Sequence, residues 1–465
     1  MHHKISLKEK IGYGLGDAAS SMFWKIFSMY LLFFYTDVFG LTPAVVGTMF
    51  LITRIWDSCL DPIIGILADR TKTRWGKFRP YLLWTAIPFA ILGLFTFYTP
   101  DFDEKGKIIY AYITYSLMMM TYSIINVPYA SLLGVLSSDR KERNALSSYR
   151  MVFAFAGSLL ALWLLEPLVN HFGGSMNSKT GWLYTMAIFG CITTAFFWTC
   201  FILTTERVHP ISNQKANLKE DLKDLWKNKP WWILLGSGIG ALLFNAIRDG
   251  AAVYYFKYYV SHTNSFSFTI LQETFSITPT TLYLVLGQAA NIIGVIAATP
   301  IANKIGKKNT FFWAMTFAAI LSGLFYCIEK ENTSMILLFQ VLISICAGSI
   351  FPLIWSMYAD SADYSEWKQG RRATGLIFSA SSMSQKLGWT LGGASTGWLL
   401  AYYGFQANIV QTAVTQHGIL LMLSLLPAAA AILSVCFIFF YPLTEKKLQL
   451  IELELNEQRK STKQS

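Results

Sequence analysis

Long apolar segments recur along the whole chain, and each is about as long as a bilayer is thick. A membrane-spanning helix needs roughly 20 consecutive apolar residues, and we count twelve such runs in the 465 residues. They cover residues 20–38, 44–68, 79–98, 108–134, 146–168, 181–204, 232–259, 279–303, 310–328, 333–359, 374–403 and 417–442. Because a backbone inside lipid must satisfy its own hydrogen bonds, each run predicts a helix. We therefore expect an all-α membrane protein with twelve transmembrane helices.

One long polar stretch, residues 204–230, separates the first six runs from the last six. The expected organisation is a six-helix bundle at 1–204, a cytoplasmic middle loop at 205–230, a second six-helix bundle at 231–443 and a cytoplasmic tail at 444–465. Within the loop, Leu218, Leu222 and Leu225 have helical spacing and predict a short amphipathic helix on the membrane surface.

The two halves also resemble each other weakly. The loop after the second run reads "GILADRTKTRWGKFRPYLLW", and the loop after the eighth run reads "PIANKIGKKNTFFW". Internal repeats of this kind are typical of carriers whose two bundles rock around a central site. In the eleventh run, "KLGWTLGGASTGW" places glycines four residues apart, a spacing that predicts close packing on a neighbouring helix.

The net charge of +11 reflects membrane topology and does not indicate a nucleic-acid partner. With both termini inside, only four of the 38 lysines and arginines lie in outer loops, namely Lys105, Lys107, Lys179 and Lys330. The excess of basic residues in the other loops is the positive-inside rule. It predicts cytoplasmic N and C termini in a multi-pass membrane protein, which we expect to lie in a bacterial cytoplasmic membrane.

Three charged residues share one face of the second predicted helix. Arg54, Asp57 and Asp61 are spaced i, i+3 and i+7, which places them within about 60° of one another. Charges inside a span need partners or a water-filled cavity. One interpretation is a structural ion pair of Arg54 with Asp57. The other is a cation site, since two carboxylates beside one arginine leave spare negative charge for a hard cation or a proton.

Other polar residues in the spans predict a central cavity that several helices line. They are Asp17, Ser21 and Lys25 on the first helix, Tyr122, Ser123 and Asn126 on the fourth, Arg150 on the fifth, Arg248 and Asp249 on the seventh and Lys386 on the eleventh. A helix-packing role is an alternative for each of them. Paired carboxylates also serve glycoside hydrolysis, but here both acids project from one helix, so we expect no enzyme.

Six stretches of the chain resemble one known family. They are "RIWDSCLDPIIGILADRTKTRWGKFRP", "FYTDVFGL", "TYSIINVPYASL", "AVYYFKYYV", "ADSADYSEWKQGRR" and "SQKLGWTLGGA". Together they are similar to the glycoside-pentoside-hexuronide cation symporters, the melibiose permease family within the major facilitator superfamily. The resemblance implies a twelve-helix carrier of two six-helix bundles that takes up a glycoside together with Na+, H+ or Li+.

The resemblance also implies roles for single residues. It assigns the cation site to Asp57 and Asp61, with Arg54 nearby and Ser123 and Asn126 contributed by the fourth helix. It also implies a set of substrate-binding positions, which includes possible replacements where this chain differs from the family. They are Asp17, Ser21, Lys25, Tyr122, Asn126, Arg150 and Lys386.

Departures from melibiose permease bear on the substrate. Its sugar-binding aspartate on the first helix is Ser21 here, so Asp17 or Lys25 would substitute. Its fourth-helix tryptophan is Ala130, so an aromatic ring must come from elsewhere, with Trp24, Trp355 and Trp389 as the alternatives. The stretches "GYGLGDAAS" and "INVPYAS" look more like the pentoside and glucuronide branch. A xyloside is therefore the first expectation, and a hexuronide, a galactoside or another glycoside is the alternative.

A further departure bears on the ion. The third acid of the family's cation site is Asn126 here, which removes one negative charge. A Na+ site with two carboxylates should bind more weakly than one with three, whereas a proton needs only one carboxylate. We therefore expect H+ in preference to Na+ as the coupling ion.

The predicted function is cation-coupled import of a small glycoside by a monomeric carrier without a cofactor. The alternative from another class is a sugar-binding membrane sensor or scaffold that does not move its ligand. Ion pairs near the cytoplasmic ends of spans two and ten are also expected to close an inward gate, although a solvated basic loop would explain the same charges. The gate residues would be Asp69, Arg70, Arg74, Asp360 and Asp363.

Overall fold

The computed structural model describes residues 5–137, 140–207, 225–260, 266–270, 273–369 and 374–464. The helices are α1 Leu7–Phe33, α2 Pro43–Arg70, α3 Arg79–Thr96, α4 Glu104–Leu136, α5 Arg140–Gly173, α6 Lys179–Leu203, α7 Lys229–Tyr254, α8 Pro279–Ile305, α9 Lys307–Phe325, α10 Thr333–Gln369, α11 Thr374–Tyr402, α12 Ala413–Leu423, α13 Leu425–Phe439 and α14 Glu445–Gln464. Leu218 and Leu222, and with them most of the predicted amphipathic helix, lie outside the described residues. The all-α class is confirmed.

Short irregular elements extend this helical frame at three places. The π-helical turns Phe34–Val38 and Tyr255–Val260 continue α1 and α7, the first helices of the two predicted halves. Strands β1 (Phe266–Ile270) and β2 (Glu273–Ile277) pair antiparallel, with Phe268 opposite Phe275. This hairpin joins α7 to α8.

Every predicted apolar run coincides with a helix. By length and composition, eight stretches of the described chain could cross a membrane: Arg79–Thr96, Glu104–Leu136, Ala145–Gly173, Lys179–Leu203, Lys229–Val260, Pro279–Ile305, Thr333–Lys368 and Ala413–Phe439. The remaining four runs correspond to α1, α2, α9 and α11. In α2 the charged face of Arg54, Asp57 and Asp61 lowers the hydropathy of the span. Hydropathy alone therefore understates the number of long helices.

Several helices begin well before their apolar runs. The run predicted at 20–38 belongs to a helix that begins at Leu7, where the Ser6 hydroxyl accepts a hydrogen bond from the Glu9 amide at 3.3 Å. A serine in this position satisfies one of the amides that a helix start leaves without a partner. Hydropathy marks only the part of a helix that suits lipid, whereas the cap sets where the helix starts.

The chain divides into two compact units. The first contains Met1–Ser212, Ala252–Gln288 and Thr396–Gln416, and the second contains Asn213–Ala251, Ala289–Ser395 and His417–Ser465. In the first unit α1 packs on α5 and α6, α3 packs on α4 and α6, and α2 packs on α4. In the second unit α9 packs on α10 and α13, and α14 packs on α10.

The glycine spacing in α11 allows the close packing that the sequence predicts. A Cβ atom added to Gly388 would lie 2.8 Å from Cβ of Leu242, and one added to Gly392 would lie 2.2 Å from Cβ of Ala246. Both partners belong to α7. Since such short contacts are forbidden to real side chains, the two helices approach this closely only because the α11 positions are glycines.

The last span is broken, and a buried arginine compensates for the break. Pro427 has no N–H, so the carbonyl of Leu423 loses the hydrogen bond that would continue the helix from α12 into α13. Arg248 of α7 is 5% exposed and donates to this carbonyl through Nη1. Its Nη2 donates to Oε1 of Gln340 at 2.8 Å. Arg248, for which a cavity role and a packing role were both open, therefore stabilises the packing of the second unit.

The weak repeat between the halves is also visible in the structure. Glu206, just after α6, accepts hydrogen bonds from the amides of Lys77, Phe78 and Arg79 at 2.9, 2.7 and 2.9 Å. In the second unit Glu445 accepts one from the Lys307 amide at 3.2 Å. The amides at each helix start attract a carboxylate, because they lack partners within the helix. In both halves, therefore, the repeated loop leads to a helix start at which backbone amides donate to a glutamate.

Candidate functional site

The charged face of α2 packs against α4. Asp57 is only 1% exposed and accepts a hydrogen bond from the Ser123 hydroxyl, with Oγ 2.6 Å from Oδ1. One turn earlier, the hydroxyls of Thr53 and Ser116 lie 3.4 Å apart on the same two helices. An O···O distance of 2.6 Å lies at the short end of the range for hydrogen bonds donated by hydroxyl groups. Asp57 and Ser123, two of the predicted cation ligands, are thus in direct contact.

Asp61 continues the same face by one further turn of α2. It is half-buried, and one turn beyond it a Cβ atom on Gly65 would lie 3.9 Å from Val127 of α4. This part of α2 therefore faces the segment of α4 that carries Asn126. The Asn126 amide nitrogen donates to the carbonyl of Tyr122 at 2.9 Å, so its side-chain oxygen is the atom suited to serve as a ligand.

Arg54 of α2 contacts the Trp24 ring of α1, which in turn contacts the Tyr122 ring of α4. The Arg54 guanidinium lies 4.4 Å from the ring centroid of Trp24, within the range of a cation–π contact. The Trp24 ring in turn lies 5.6 Å from the Tyr122 ring, centroid to centroid. Trp24 and Tyr122, predicted from the sequence for sugar contacts, therefore belong to one cluster beside the charged face of α2.

Asp17 and Arg150 form an ion pair between α1 and α5. Arg150 Nε lies 2.8 Å from Asp17 Oδ2, and the guanidinium lies 5.3 Å from the centroid of the Tyr129 ring. Close approach of the helices is possible because Gly157 has no side chain: a Cβ there would lie 2.5 Å from the carbonyl oxygen of Ala18. Two predicted substrate-binding residues thus pair with each other.

Ser21 and Lys25 lie further along α1. The backbone carbonyl of Ser21 accepts a hydrogen bond from the Ser158 hydroxyl of α5 at 3.5 Å, and the Ser21 residue is half-buried. Lys25 is 8% exposed. A buried ammonium group is costly unless polar or charged groups surround it, so Lys25 marks a polar environment within the span.

The other predicted residues are distributed over both units. Lys386 is half-buried in α11 of the second unit. There Asp360 pairs with Lys307, whose Nζ lies 2.8 Å from both carboxylate oxygens. In the first unit the Arg74 guanidinium lies 4.4 Å from the centroid of the Trp75 ring.

Three predicted gate residues remain. Arg70 is exposed at the end of α2, and Asp363 is half-buried in α10. The side chain of Asp69 lies outside the described residues.

Sequence reasoning missed several contacts made by charged residues, of which three bear on the site and its surroundings. They are the ion pair of Asp37 with Lys257, the hydrogen bonds from Thr278 and Thr281 to Glu166, and the contact of Glu206 with the loop before α3. Glu166 and Lys257 could have been found by their charge inside apolar runs, the signal that identified Asp57. The same signal marks Asp37 in the run 20–38, but the pairing itself could not have been found, since the partners lie more than a hundred residues apart.

These features define the class of the protein. Long apolar helices that carry buried acids and an arginine–acid pair are typical of multi-pass membrane transporters. Residues 12–445 match the MFS/sugar transport protein family, and the chain belongs to that family.

Curated relatives cover nearly the whole chain. A putative glycoside/cation symporter, YagG of Escherichia coli (strain K12), is 35% identical over 98% of this chain and 96% of its own. The isoprimeverose transporter of Lactiplantibacillus pentosus is 36% identical over 94% of this chain and 89% of its own. A glucuronide carrier protein homolog of Escherichia coli (strain K12) is 29% identical over 100% of this chain and 98% of its own.

Solved structures share the fold. A bacterial homolog of the human lysosomal transporter Spinster superposes with a TM-score of 0.67 at 12% identity, covering 94% of this chain and 95% of its own. A D-xylose–proton symporter superposes with a TM-score of 0.63 at 15% identity, covering 94% and 96%. At such identities the likeness concerns the fold alone.

Proposed function

We propose that the protein imports a small glycoside together with a monovalent cation, by alternating access between two six-helix bundles joined at residues 205–230. The buried contact of Asp57 with Ser123 carries this proposal, because a carboxylate inside a span is costly and is retained where it serves ion or substrate movement. Family membership and the named symporters among the relatives support it.

The proposed cation site consists of Asp57 and Asp61, with Ser123 and Asn126 as neutral ligands and Arg54 as a nearby positive charge. H+ is the preferred ion and Na+ the alternative, since Asn126 supplies an oxygen but no charge. The proposed sugar-contacting residues are Asp17, Ser21, Lys25, Tyr122, Asn126, Arg150 and Lys386. Among them the ion pair between Asp17 and Arg150 would hold both groups in fixed orientations for sugar hydroxyls.

The preferred substrate is a xyloside. Isoprimeverose, the substrate in the name of one relative, is a disaccharide with a xylosyl unit. A hexuronide is the second candidate, favoured by the buried ammonium group of Lys25, which could pair with a sugar carboxylate. We place the protein in a bacterial inner membrane, as a monomer with both termini in the cytoplasm. The name of a further relative, the inner membrane symporter YicJ of Escherichia coli (strain K12), supports this location.

Reconstituted vesicles test the transport function. Vesicles that contain only this protein should accumulate xyloside against its gradient when a proton or sodium gradient is imposed. Asp57→Asn and Asp61→Asn should abolish uphill uptake more than sugar exchange at equal concentrations, whereas Asp101→Asn, in an exposed loop, should leave uptake unchanged. Sugar binding without accumulation would favour a sensor or scaffold instead.

We also propose that Asp69, Arg70, Arg74, Asp360 and Asp363 close a cytoplasmic gate. The basic loop after α2 and the acidic end of α10 carry opposite charges that could attract each other. Reversing the charge of Asp363 and of Arg74 together should rescue transport that either reversal alone impairs. Strictly additive losses would show that the two side chains do not interact.

A further inference from the structure

The first helix of each predicted half ends in a π-helical turn, and the two turns carry opposite charges. Asp37 lies in the turn Phe34–Val38 that follows α1, and Lys257 lies in the turn Tyr255–Val260 that follows α7. Turns of this kind are rare and frequently occur at functional sites. Both turns belong to the first compact unit.

The Asp37 carboxylate is fully buried and well satisfied. Lys257 Nζ donates to Oδ1 at 2.6 Å, and the side chains of the pair are 0% (Asp37) and 26% (Lys257) exposed. The Tyr258 hydroxyl donates to the same oxygen, and the Thr36 hydroxyl donates to Oδ2 at 2.7 Å. Removing one member of a buried, hydrogen-bonded pair is far more costly than removing a surface one, because the other charge is left buried.

Asn408, in the segment between α11 and α12, completes this cluster from a left-handed backbone conformation. Its φ is 61°, a left-handed value that residues other than glycine seldom adopt. Its side-chain nitrogen donates to the carbonyl of Asp37 at 2.7 Å, and its backbone amide donates to the Tyr258 hydroxyl at 2.9 Å. Asparagine adopts this conformation more readily than most residues other than glycine, so Asn408 suits the backbone geometry that these two hydrogen bonds require.

Asn177, in the segment between α5 and α6, joins from the other half of the sequence. Its side-chain oxygen accepts a hydrogen bond from Lys257 Nζ at 2.8 Å, and its nitrogen donates to the Asn408 side-chain oxygen at 2.8 Å. Four separate segments, two from each half, therefore meet around one ammonium and one carboxylate.

A second link lies next to this cluster. Glu166 of α5 is 5% exposed and accepts hydrogen bonds from the hydroxyls of Thr278, at 2.6 Å, and Thr281 at the start of α8. A cavity of 360 Å³ is lined by Glu166, Lys257 and Asn177, among others. The Asp37–Lys257 pair and the hydrogen bonds to Glu166 therefore both lie beside this cavity. In each of them a carboxylate from the first half of the sequence accepts hydrogen bonds from donors in the second half.

We propose that Asp37, Lys257, Tyr258, Asn408 and Asn177 form a latch that closes the outer side of the carrier. All five lie at or beyond the helix ends remote from the basic loops, which is the side that the charge distribution predicts to be extracellular. The latch must part before a glycoside can reach the intramembrane site from outside. This inference rests on the proposed transport function and adds the residues that gate it.

Hydrogen exchange in lipid nanodiscs tests the latch without any sugar. In Asp37→Asn and in Lys257→Met, amides of residues 34–41 and 404–411 should exchange about tenfold faster, since one charge of a buried pair loses its partner. The increase in exchange in the double variant should be smaller than the sum of the increases in the two single variants. Lys257→Arg keeps the charge and should retain most of the protection.

An exposed ion pair on the same side provides the matched control. Lys179 and Asp101 lie 3.4 Å apart with side chains that are 52% and 95% exposed, so Asp101→Asn and Lys179→Met should leave exchange unchanged. Equal exchange in latch variants and unmutated protein, or an increase spread evenly over all spans, would overturn the latch. Failure of the unmutated protein to accumulate sugar would instead refute the transport function and leave the exchange result interpretable.

Discussion

The Ser123 hydroxyl donates a 2.6 Å hydrogen bond to Asp57, from one transmembrane helix to another. Leaving a buried hydrogen-bonding group without its partner costs about 1–3 kcal/mol. Ser123→Ala should therefore weaken cation-stimulated sugar uptake by about tenfold, while Ser123→Thr should retain it. Ser131→Ala is the control, because this exposed serine of the same helix donates to the backbone carbonyl of Val127, one turn earlier. Equal uptake in Ser123→Ala and Ser131→Ala would remove Ser123 from the cation site.

Asn126 decides the predicted choice of ion. Asn126→Asp adds a third negative charge to the proposed site and should increase the dependence of sugar affinity on Na+. Sodium titrations of sugar binding in both proteins measure this. Strong Na+ dependence in the unmutated protein would reject the preference for H+, and an unaltered titration in the variant would show that Asn126 does not face the site.

Gly76 tests the contact between the α2–α3 loop and Glu206. Its φ of 111° disfavours any other residue, and an added Cβ would lie 2.4 Å from the Glu206 carboxyl carbon. Gly174 has φ of 73° and nothing within 4 Å of an added Cβ. In thermal unfolding, Gly174→Ala should cost about 1–2 kcal/mol for the left-handed backbone alone, and Gly76→Ala clearly more. Similar losses of stability at the two positions would mean that the loop shifts away from Glu206 and accommodates the added Cβ atom.

The break at Pro427 predicts that a substitution there partly restores the stability lost by a substitution of Arg248. Arg248→Met should destabilise the protein by about 3 kcal/mol or more, because the Leu423 carbonyl and Gln340 lose a buried charged donor. Pro427→Ala supplies an N–H that can reach the Leu423 carbonyl, so the double variant should be more stable than the sum of the single losses predicts. Thermal unfolding of all four proteins measures this coupling, and additive losses would contradict it.

Much of the fold could be predicted from the sequence, because the determining interaction is local. A run of about 20 apolar residues must become a helix in lipid, whatever its neighbours are. The shared face of Arg54, Asp57 and Asp61 follows equally from helical geometry. The close packing of α11 at Gly388 was also predictable, since spaced glycines leave room for a neighbouring helix.

The partners of the charged residues could not be predicted in the same way. Asp57 contacts a serine 66 residues away, and Asp37 contacts a lysine 220 residues away. Helical periodicity does not relate positions on separate helices. The crossing angle and the alignment of two helices depend on the packing of many side chains at once. The sequence by itself determined which segments span the membrane and which of them carry charge. Only the tertiary structure decided that Asp17 pairs with Arg150, that Arg248 compensates for the break at Pro427, and that the turns bearing Asp37 and Lys257 meet.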